Sequence, residues 1–546
     1  MPERWYQQAI VYCLDVETYQ DSNGDGVGDL RGLISRLDYL AALGVTTLWL
    51  NPIHPTPGRD DGYDVSDYYG VDPRLGSLGD FVELVHQCEN RGIRLMIDLV
   101  VNHTSDEHPW FRSARSDPDS PYRDWYVWSP TEPPDAEEGV VFPGYQRGTW
   151  SYDESAQLWY HHRFYEFQPD LNWSNREVRE EIGRVVAFWL QLGVSGFRMD
   201  GAPFVIEEVH PDTTPRVMHY EWLEDLRDHI GWRRGDGAVL AEANVPREQI
   251  LEFFGPRGNR LQMMFNFAEN QRIFLALARG LATPVITAIE SSPTLPASCS
   301  WATFLRNHDE IDLSGLRESE RADAFAAFGP DPEMQLYDRG IRRRLAPMLG
   351  NDRRRIELAY VLQFSLPGTP VIRYGEEIGM GDDLSLEQRD SIRTPMQWAD
   401  APQGGFTTAD ESVRPVIAKG EYGYPAVNVR DQLKDPDSLL SWFSRMMRVL
   451  RDCPEFGTGG RRVLDTRDER VLALRYDGVG GSVLAVINLG TDPATVDLAG
   501  HVDVAAGFPV DVLSDRRYDP APADMSTVEL AGRGYRWLRL SRAIGA

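Results

Sequence analysis

The run Arg94-Leu-Met-Ile-Asp98-Leu-Val-Val-Asn102-His103 narrows the folds open to this chain more than any other stretch. A strand with one wet face alternates apolar and polar residues. A run that is apolar almost throughout needs cover on both faces, which is the situation of a parallel strand flanked by helices. The same grammar surrounds it. Residues 9–14 and 45–53 read as compact strands. Between them Leu30, Leu33, Ile34, Leu37 and Leu40 form one face of a helix closed by Gly44. Phe81, Leu84, Val85 and Cys88 make the next helical stripe, ending near Gly92. Repeated βα units of this kind predict an α/β fold, and a chain of 546 residues favours a (β/α)8 TIM barrel over an open sheet.

From 104 to 175 the text turns aromatic, Pro-rich and Asp-rich without helical periodicity, as expected for a long excursion from the loop after the third strand. Strands are then predicted at 196–202, 239–244, 263–267, 301–308 and 370–377, for eight in all. Near Arg461 the pattern becomes short alternating strands with Gly and Asp-Gly turns, the signature of an antiparallel β domain. The predicted organisation is a catalytic barrel over 1–103 and 176–455, an inserted domain over 104–175, and a C-terminal antiparallel β-sandwich over 456–546.

A formal net charge of −28 disfavours nucleic acid and anionic membranes as partners, because polyanion binding runs on excess Lys and Arg. It suits a neutral substrate, bound cations or plain solubility. Cys13, Cys88, Cys299 and Cys453 show no CxxC spacing and are expected to be buried thiols, not a disulfide framework. No apolar run is long enough to cross a bilayer, and Met1-Pro-Glu-Arg-Trp5 lacks the features of a signal peptide. A cytoplasmic setting is the expectation.

Gly196-Phe-Arg198-Met-Asp200 places a cation and a carboxylate two residues apart, on the same side of a strand. A neighbouring guanidinium favours an ionised carboxylate, which suits a nucleophile. An Arg–Asp pair at a strand end can equally be structural, so the other strand ends have to decide. In a barrel, chemistry gathers at the carboxyl ends of the strands. Asp98, Asn102 and His103 fall there, with Glu242 and Asn244, and with Asn307-His308-Asp309-Glu310. Carboxylates, two imidazoles and an arginine converge, with no phosphate loop and no thiol–imidazole pair. That is equipment for glycoside cleavage, with one carboxylate as nucleophile and another as proton donor and then acceptor.

The segments Asp98-Leu-Val-Val-Asn102-His103, Gly196-Phe-Arg198-Met-Asp200, Glu242 on its strand and Asn307-His308-Asp309 resemble the four diagnostic regions of the α-amylase family, glycoside hydrolase family 13. Gln168-Pro-Asp170-Leu-Asn172 resembles its additional region. The resemblance runs the length of the chain in the right order. It implies a (β/α)8 barrel, a domain inserted after the third strand and a terminal β-sandwich. By position it makes Asp200 the nucleophile and Glu242 the general acid/base, with Asp309 holding the distorted sugar. Arg198, His103 and His308 would line the glucose subsite. Retention calls for the two reacting carboxyl groups to lie about 5–5.5 Å apart. Glu242 is expected to be the less solvated of the pair, so that it keeps its proton.

Asp60-Asp61-Gly62-Tyr63-Asp64 resembles the exo-acting α-glucosidase branch of the family. That likeness implies that Asp60 grips a terminal glucose, Tyr63 stacks on it, and an Asp60–Arg393 bridge closes the subsite; a surface turn with an incidental ion pair is the plain alternative. Longer stretches, among them 102–111, 122–128, 304–310 and 340–347, resemble the branch that interconverts maltose and trehalose. Departures from that branch fall at Phe265-Asn-Phe-Ala-Glu-Asn270, at Arg373 and Glu376, and in 129–144, positions read as bordering the acceptor subsite. The implied activity is maltose–trehalose interconversion with some hydrolysis. Hydrolysis of maltose-like α-glucosides is the alternative, and a non-catalytic scaffold the remote one.

Asp21-Ser-Asn23-Gly-Asp25-Gly26-Val27-Gly-Asp29 has oxygen ligands at alternate positions and opens like an EF-hand loop, without the Glu that would complete one. An Asx-rich turn is the alternative. The resemblance places Ca2+ or Mg2+ here, on Asp21, Asn23, Asp25, the Val27 carbonyl and Asp29. It implies a second Ca2+ on Asn102, Asp170, Glu207 and the carbonyls of Phe204 and Val205, tying the insertion to the barrel. No organic cofactor is implied, and a homodimer is.

Overall fold

The computed structural model describes residues 4–211, 216–478, 481–501 and 509–540. Eight parallel strands close into a barrel in sequence order: β1 (Val11–Leu14), β2 (Thr47–Leu50), β3 (Arg94–Leu99), β4 (Gly196–Met199), β5 (Ala238–Ala241), β6 (Met263–Phe265), β7 (Ser300–Phe304) and β8 (Thr369–Arg373). β8 returns to β1, with Val371 opposite Val11. Each expected strand is present but shorter than its apolar run. After Leu99, for example, the chain leaves the ladder while staying buried, and so carries Asn102 and His103 over the barrel mouth. Apolarity reports burial, and burial outlasts strand pairing here.

The flanking helices start and stop where local chemistry dictates. Leu30–Leu43 begins at Asp29, whose carboxylate accepts the Gly32 N–H at 2.7 Å, and ends at Gly44 in the left-handed region (φ 105°). Leu33, Leu37 and Leu40 on its inner face are fully buried. Leu78–Glu89 opens on a reciprocal Ser77–Asp80 capping box.

Between β3 and β4 the chain forms a three-stranded antiparallel sheet, in the order Trp128–Ser129, Leu158–His161, Trp150–Asp153. It also contains a helix the sequence reading does not anticipate, Pro109–Ser116, capped by His108. Only Phe111 and Ala114 of its eight residues are buried, too few to leave a periodic stripe. At the C-terminal end, Gly460–Val463, Val471–Gly478, Gly481–Asn488, Tyr535–Leu540 and Pro509–Ser514 form a five-stranded antiparallel sheet. Ala494–Val496 and Val528–Leu530 make a second, two-stranded one, and Val471, Leu484, Val486, Val496, Val528 and Leu538 fill the space between the two. The other face of the large sheet buttresses the barrel. Tyr476 and Trp537 both donate to Ser365, on the helix that leads into β8, at 2.7 Å. All four cysteines are free and buried, and among the described residues no helix is long and apolar enough to cross a membrane.

Candidate active site

The barrel register puts Asp98 directly opposite Arg198, and Arg198 opposite Leu240. Arg198 is 1% exposed and lies beneath the cavity at the carboxyl ends of the strands. Its guanidinium answers three carboxylates. Nη1 is 2.6 Å from Asp98 Oδ1 and 2.8 Å from Asp200 Oδ1, and Nη2 contacts Glu242. Asp200 and Glu242 therefore face one shared cation. The ladder continues one step past the strands, since Asp200 N–H donates to Leu99 and Glu242 N–H to Met199. Backbone pairing thus fixes where both reacting side chains begin.

The two carboxyls differ in environment, although not as the sequence reading expected. Glu242 shows 27% of its side chain to the cavity and Asp200 only 11%, so the expected donor is the more exposed of the two. Protein nevertheless surrounds it. Burial, reinforced by the charges of Asp200 and Asp309 and opposed by Arg198, pushes the Glu242 carboxyl up to about 8. Burial likewise raises Asp98 to about 6 against the pull of Arg198. Asp309 goes the other way: burial would raise it, but Arg389, His308 and Arg393 outweigh burial and hold it well below the usual carboxylate range.

A cavity of about 460 Å³ opens above these groups, within the roughly 300–1,000 Å³ usual for small-molecule sites. It is lined by Asp60, Tyr63, His103, Asp200, Glu242, His308 and Asp309. Tyr63 stacks on His308 (ring centroids 5.4 Å apart), and its hydroxyl is 2.7 Å from His308 Nε2. His103 Nε2 is 3.0 Å from the Tyr63 carbonyl oxygen. Burial drives His308 well below the ordinary imidazole range, so it is neutral.

Arg393 occupies a different role from the one predicted. It pairs with Asp61, not Asp60, at 2.8 Å, and reaches Asp309 Oδ1 at 3.2 Å. Asp61 also pairs with Arg414, and neither Asp61 nor Arg393 lines the cavity. Asp61 adopts the left-handed conformation (φ 52°), which turns its side chain away from the cavity side taken by Asp60. Of the two arginines in the Arg389–Arg393 segment, the one that lines the cavity is Arg389, 3.0 Å from Asp309 and 2.8 Å from Glu310. Burial lifts Asp60 to about 7, with Arg389 and the Gln168 amide (2.8 Å) opposing the shift. Arg389 and Arg393 lie four positions apart, and the spacing of the motif alone does not say which one turns inward.

Other positions sort similarly. Phe267, from the atypical segment after β6, lines the cavity, as do Gly139, Val140, Val141 and Phe142 of the insertion. Arg373 and Glu376 do not; both are buried, and Glu376 accepts the Tyr360 hydroxyl at 3.0 Å. Arg339, Asp312 and Asn244 line the cavity without having been anticipated as a group. Arg339 comes from a hairpin that the helical and strand periodicities pass over, because each of its strands is two residues long.

In the 21–29 loop Asp21 accepts N–H bonds from Asn23, Gly24 and Gly26, at 2.8–2.9 Å. With the Thr407 hydroxyl, these bonds hold Asp21 below its ordinary range despite partial burial. Gly26, sixth in the loop, has φ 90°, and a Cβ there would come 2.4 Å from the Glu411 carbonyl oxygen. An all-oxygen donor set around a sixth-position glycine fits a calcium ion. The second predicted set differs. Asn102 donates to Asp170 (2.9 Å), His161 Nδ1 is 3.0 Å from Asp170, and Arg163 Nη2 is 2.6 Å from Glu207. Its carboxylates already face an imidazole and a guanidinium.

A closed parallel barrel that gathers Asp200, the high-pKa Glu242 carboxyl and the low-pKa Asp309 at its strand ends is the architecture of a glycosidase or transglucosidase. Residues 16–324 and 341–456 match the alpha amylase catalytic domain, and the chain belongs to the α-amylase family, glycoside hydrolase family 13. It is 39% identical over 558 residues to a trehalose synthase of Pimelobacter sp. (strain R48), covering 98% of this chain and 96% of that one. It is 42% identical over 528 residues to a trehalose synthase of Thermus thermophilus, covering 95% of this chain but 54% of the relative, about half its length. A solved trehalulose synthase in complex with Tris superposes with a TM-score of 0.78 at 26% identity, over 98% of this chain and 100% of that one.

Two outcomes follow. Asp61→Ala removes the carboxylate shared by two buried guanidiniums, which keep Asp309 and Glu17 as partners, so the loss of stability is expected below the roughly 3–5 kcal/mol of a fully broken buried pair. Asp60→Ala leaves the fold intact and weakens substrate binding. Melting curves beside KM values separate the two, and a normal melt for Asp61→Ala would remove its structural role. Burial holds the Glu242 carboxyl up at about 8, so a proton donor at this position is protonated below that pH and loses its proton above it. The rate on maltose-like substrates, which need leaving-group protonation, is therefore expected to fall through about pH 8. The rate on p-nitrophenyl α-glucoside, whose leaving group needs none, stays flatter. Identical limbs for both substrates would contradict this assignment.

Proposed function

We propose that this enzyme interconverts maltose and trehalose through a glucosyl-enzyme on Asp200, losing some glucose to water. The observation that carries the reading is the cavity itself. Asp60, Tyr63 and Arg389 share its wall with the reacting carboxyls, which suits the capture of one terminal glucose. Near-full-length similarity to trehalose synthases supports the same reading.

In the first step Asp200 attacks C1 of the terminal glucose while Glu242 gives its proton to the glycosidic oxygen. The C1–O bond to the second sugar breaks, and a bond from C1 to Asp200 forms. Developing positive charge at C1 is opposed by Asp200 and by Asp309, which is ionised. In the second step the anomeric hydroxyl of the released glucose attacks C1, Glu242 takes its proton, and Asp200 leaves. Water in place of that hydroxyl gives hydrolysis.

Incubation with maltose is the test: trehalose is expected as the main product, with a minor yield of glucose, and Asp200→Asn abolishes both. Glucose alone would make the enzyme a hydrolysing α-glucosidase. A Ca2+ ion in the 21–29 loop belongs to the same proposal, remote from the chemistry and structural in effect. A second ion at Asp170 and Glu207 would have to compete with Arg163. Chelation is expected to lower the melting temperature, and added Ca2+ to restore it, as for any ligand that binds only the folded state. A melt indifferent to chelator, with no metal by elemental analysis, would refute the ion.

A further inference from the structure

Strained backbone gathers at one corner of the cavity. Ten non-glycine residues among those described have positive φ, and three of them, Tyr337 (56°), Asp338 (57°) and Gln388 (43°), lie together there. Tyr337 and Asp338 are the central residues of the turn joining Gln335–Leu336 to Gly340–Ile341. A turn left-handed at both centres normally uses Gly, Asn or Asp, and an aromatic residue is costly in that conformation. Such strain persists only where the surroundings over-determine it, and it collects at functional sites.

The surroundings here are specific. The Tyr337 ring packs on Phe142 (centroids 5.0 Å apart) and lies 5.4 Å from the Arg389 guanidinium. Its hydroxyl donates to Gln388 Oε1 at 2.9 Å, the same oxygen that accepts the Tyr165 hydroxyl at 2.9 Å. Phe142 stacks in turn on Tyr165 (4.7 Å) and beneath Arg389 (5.0 Å). The hairpin sits flush against the cavity wall, since a Cβ on Gly340 would come 2.5 Å from Glu310 Cγ. One buried tyrosine thus joins three distant segments: the insertion through Phe142 and Tyr165, the hairpin after β7, and the loop after β8 through Gln388 and Arg389. Phe142 and Arg389 line the cavity, whereas Tyr337 stands behind them.

We propose that Tyr337 is a positioning residue that sets how the glucosyl-enzyme divides between a sugar acceptor and water. By pinning Phe142 and Arg389 it keeps the insertion closed over the cavity while the C1–Asp200 bond persists. Freeing that corner admits water, which takes C1 in place of a sugar hydroxyl and gives its proton to Glu242. Formation of the intermediate, which depends on Asp200 and Glu242, is left largely unchanged. The inference rests on the transfer reading above.

The test uses p-nitrophenyl α-glucoside as donor and labelled glucose as acceptor. Nitrophenol reports intermediate formation, labelled disaccharide reports transfer, and their difference is hydrolysis. Tyr337→Gly suits the left-handed turn and removes the ring. It is expected to raise the hydrolysis-to-transfer ratio about fivefold, the scale of one lost aromatic contact, with nitrophenol release within about twofold of wild type. Tyr337→Phe, lacking only the bond to Gln388, shifts the ratio the same way by less. Asp338→Gly, which eases the turn and keeps the ring, leaves the ratio unchanged. An unchanged ratio in folded Tyr337→Gly, or equal loss of transfer and hydrolysis, would overturn the proposal. Should Tyr337→Gly fail to fold, an unchanged ratio in Tyr337→Phe overturns it instead. If the wild type transfers to no sugar at all, the function proposed above fails, while the partition between water and added glycerol still reads the role of Tyr337.

Discussion

The site depends on one guanidinium held among three carboxylates. Arg198 is buried, always charged, and in contact with Asp98, Asp200 and Glu242 at once. Without it, three acids would converge in a space shielded from water with no positive charge to offset their mutual repulsion. With it, one positive charge is divided unequally. Asp98 and Asp200 accept from the same nitrogen, and Glu242 keeps a carboxyl near 8 because burial and its neighbours outweigh its share of the cation.

The cation is itself positioned by barrel geometry. Parallel register fixes Asp98 opposite Arg198, while Trp49, on the adjacent strand, donates to the other Asp98 oxygen at 3.0 Å. The Arg198 guanidinium packs over the rings of Trp49 and Tyr63. A second electrostatic layer lies outside it. Asp61, Arg393 and Arg414 form a buried ion-pair set that does not face the cavity but fixes Asp309 through Arg393. Arg389 completes the inner layer, joining Asp309 and Glu310 to the aromatic corner made by Phe142 and Tyr337. Charge and stacking thus meet where the inserted segment touches the barrel.

The chain carries chemistry at one end of its barrel and support elsewhere. The C-terminal sheet presses Tyr476 and Trp537 onto the helix before β8, far from the reacting groups. The 21–29 loop shows the same division. Its carboxylates organise a turn and cap the Leu30–Leu43 helix, since Asp29 accepts from both Ser22 and Gly32.

By itself the sequence determined the eight strands and their order, the helix from Leu30 to Leu43, and the gathering of Asp200, Glu242, Asp309, His103 and His308 at one end of the fold. These follow from local rules: apolar runs mark buried strands, period-2 geometry sets the side, and a parallel barrel sends every strand's carboxyl end to the same face. Only the tertiary structure decided which of two nearby arginines enters the cavity and which aspartate pairs with the other. Asp60 keeps the cavity position expected of it and Arg389 joins it, whereas Arg393 pairs with Asp61 outside, because a left-handed backbone at Asp61 and contacts from distant loops turn those side chains. It alone brought Phe142, Tyr165, Tyr337 and Gln388 together, residues up to 246 positions apart that share no periodicity. Their association is packing between loops, and no local pattern encodes it.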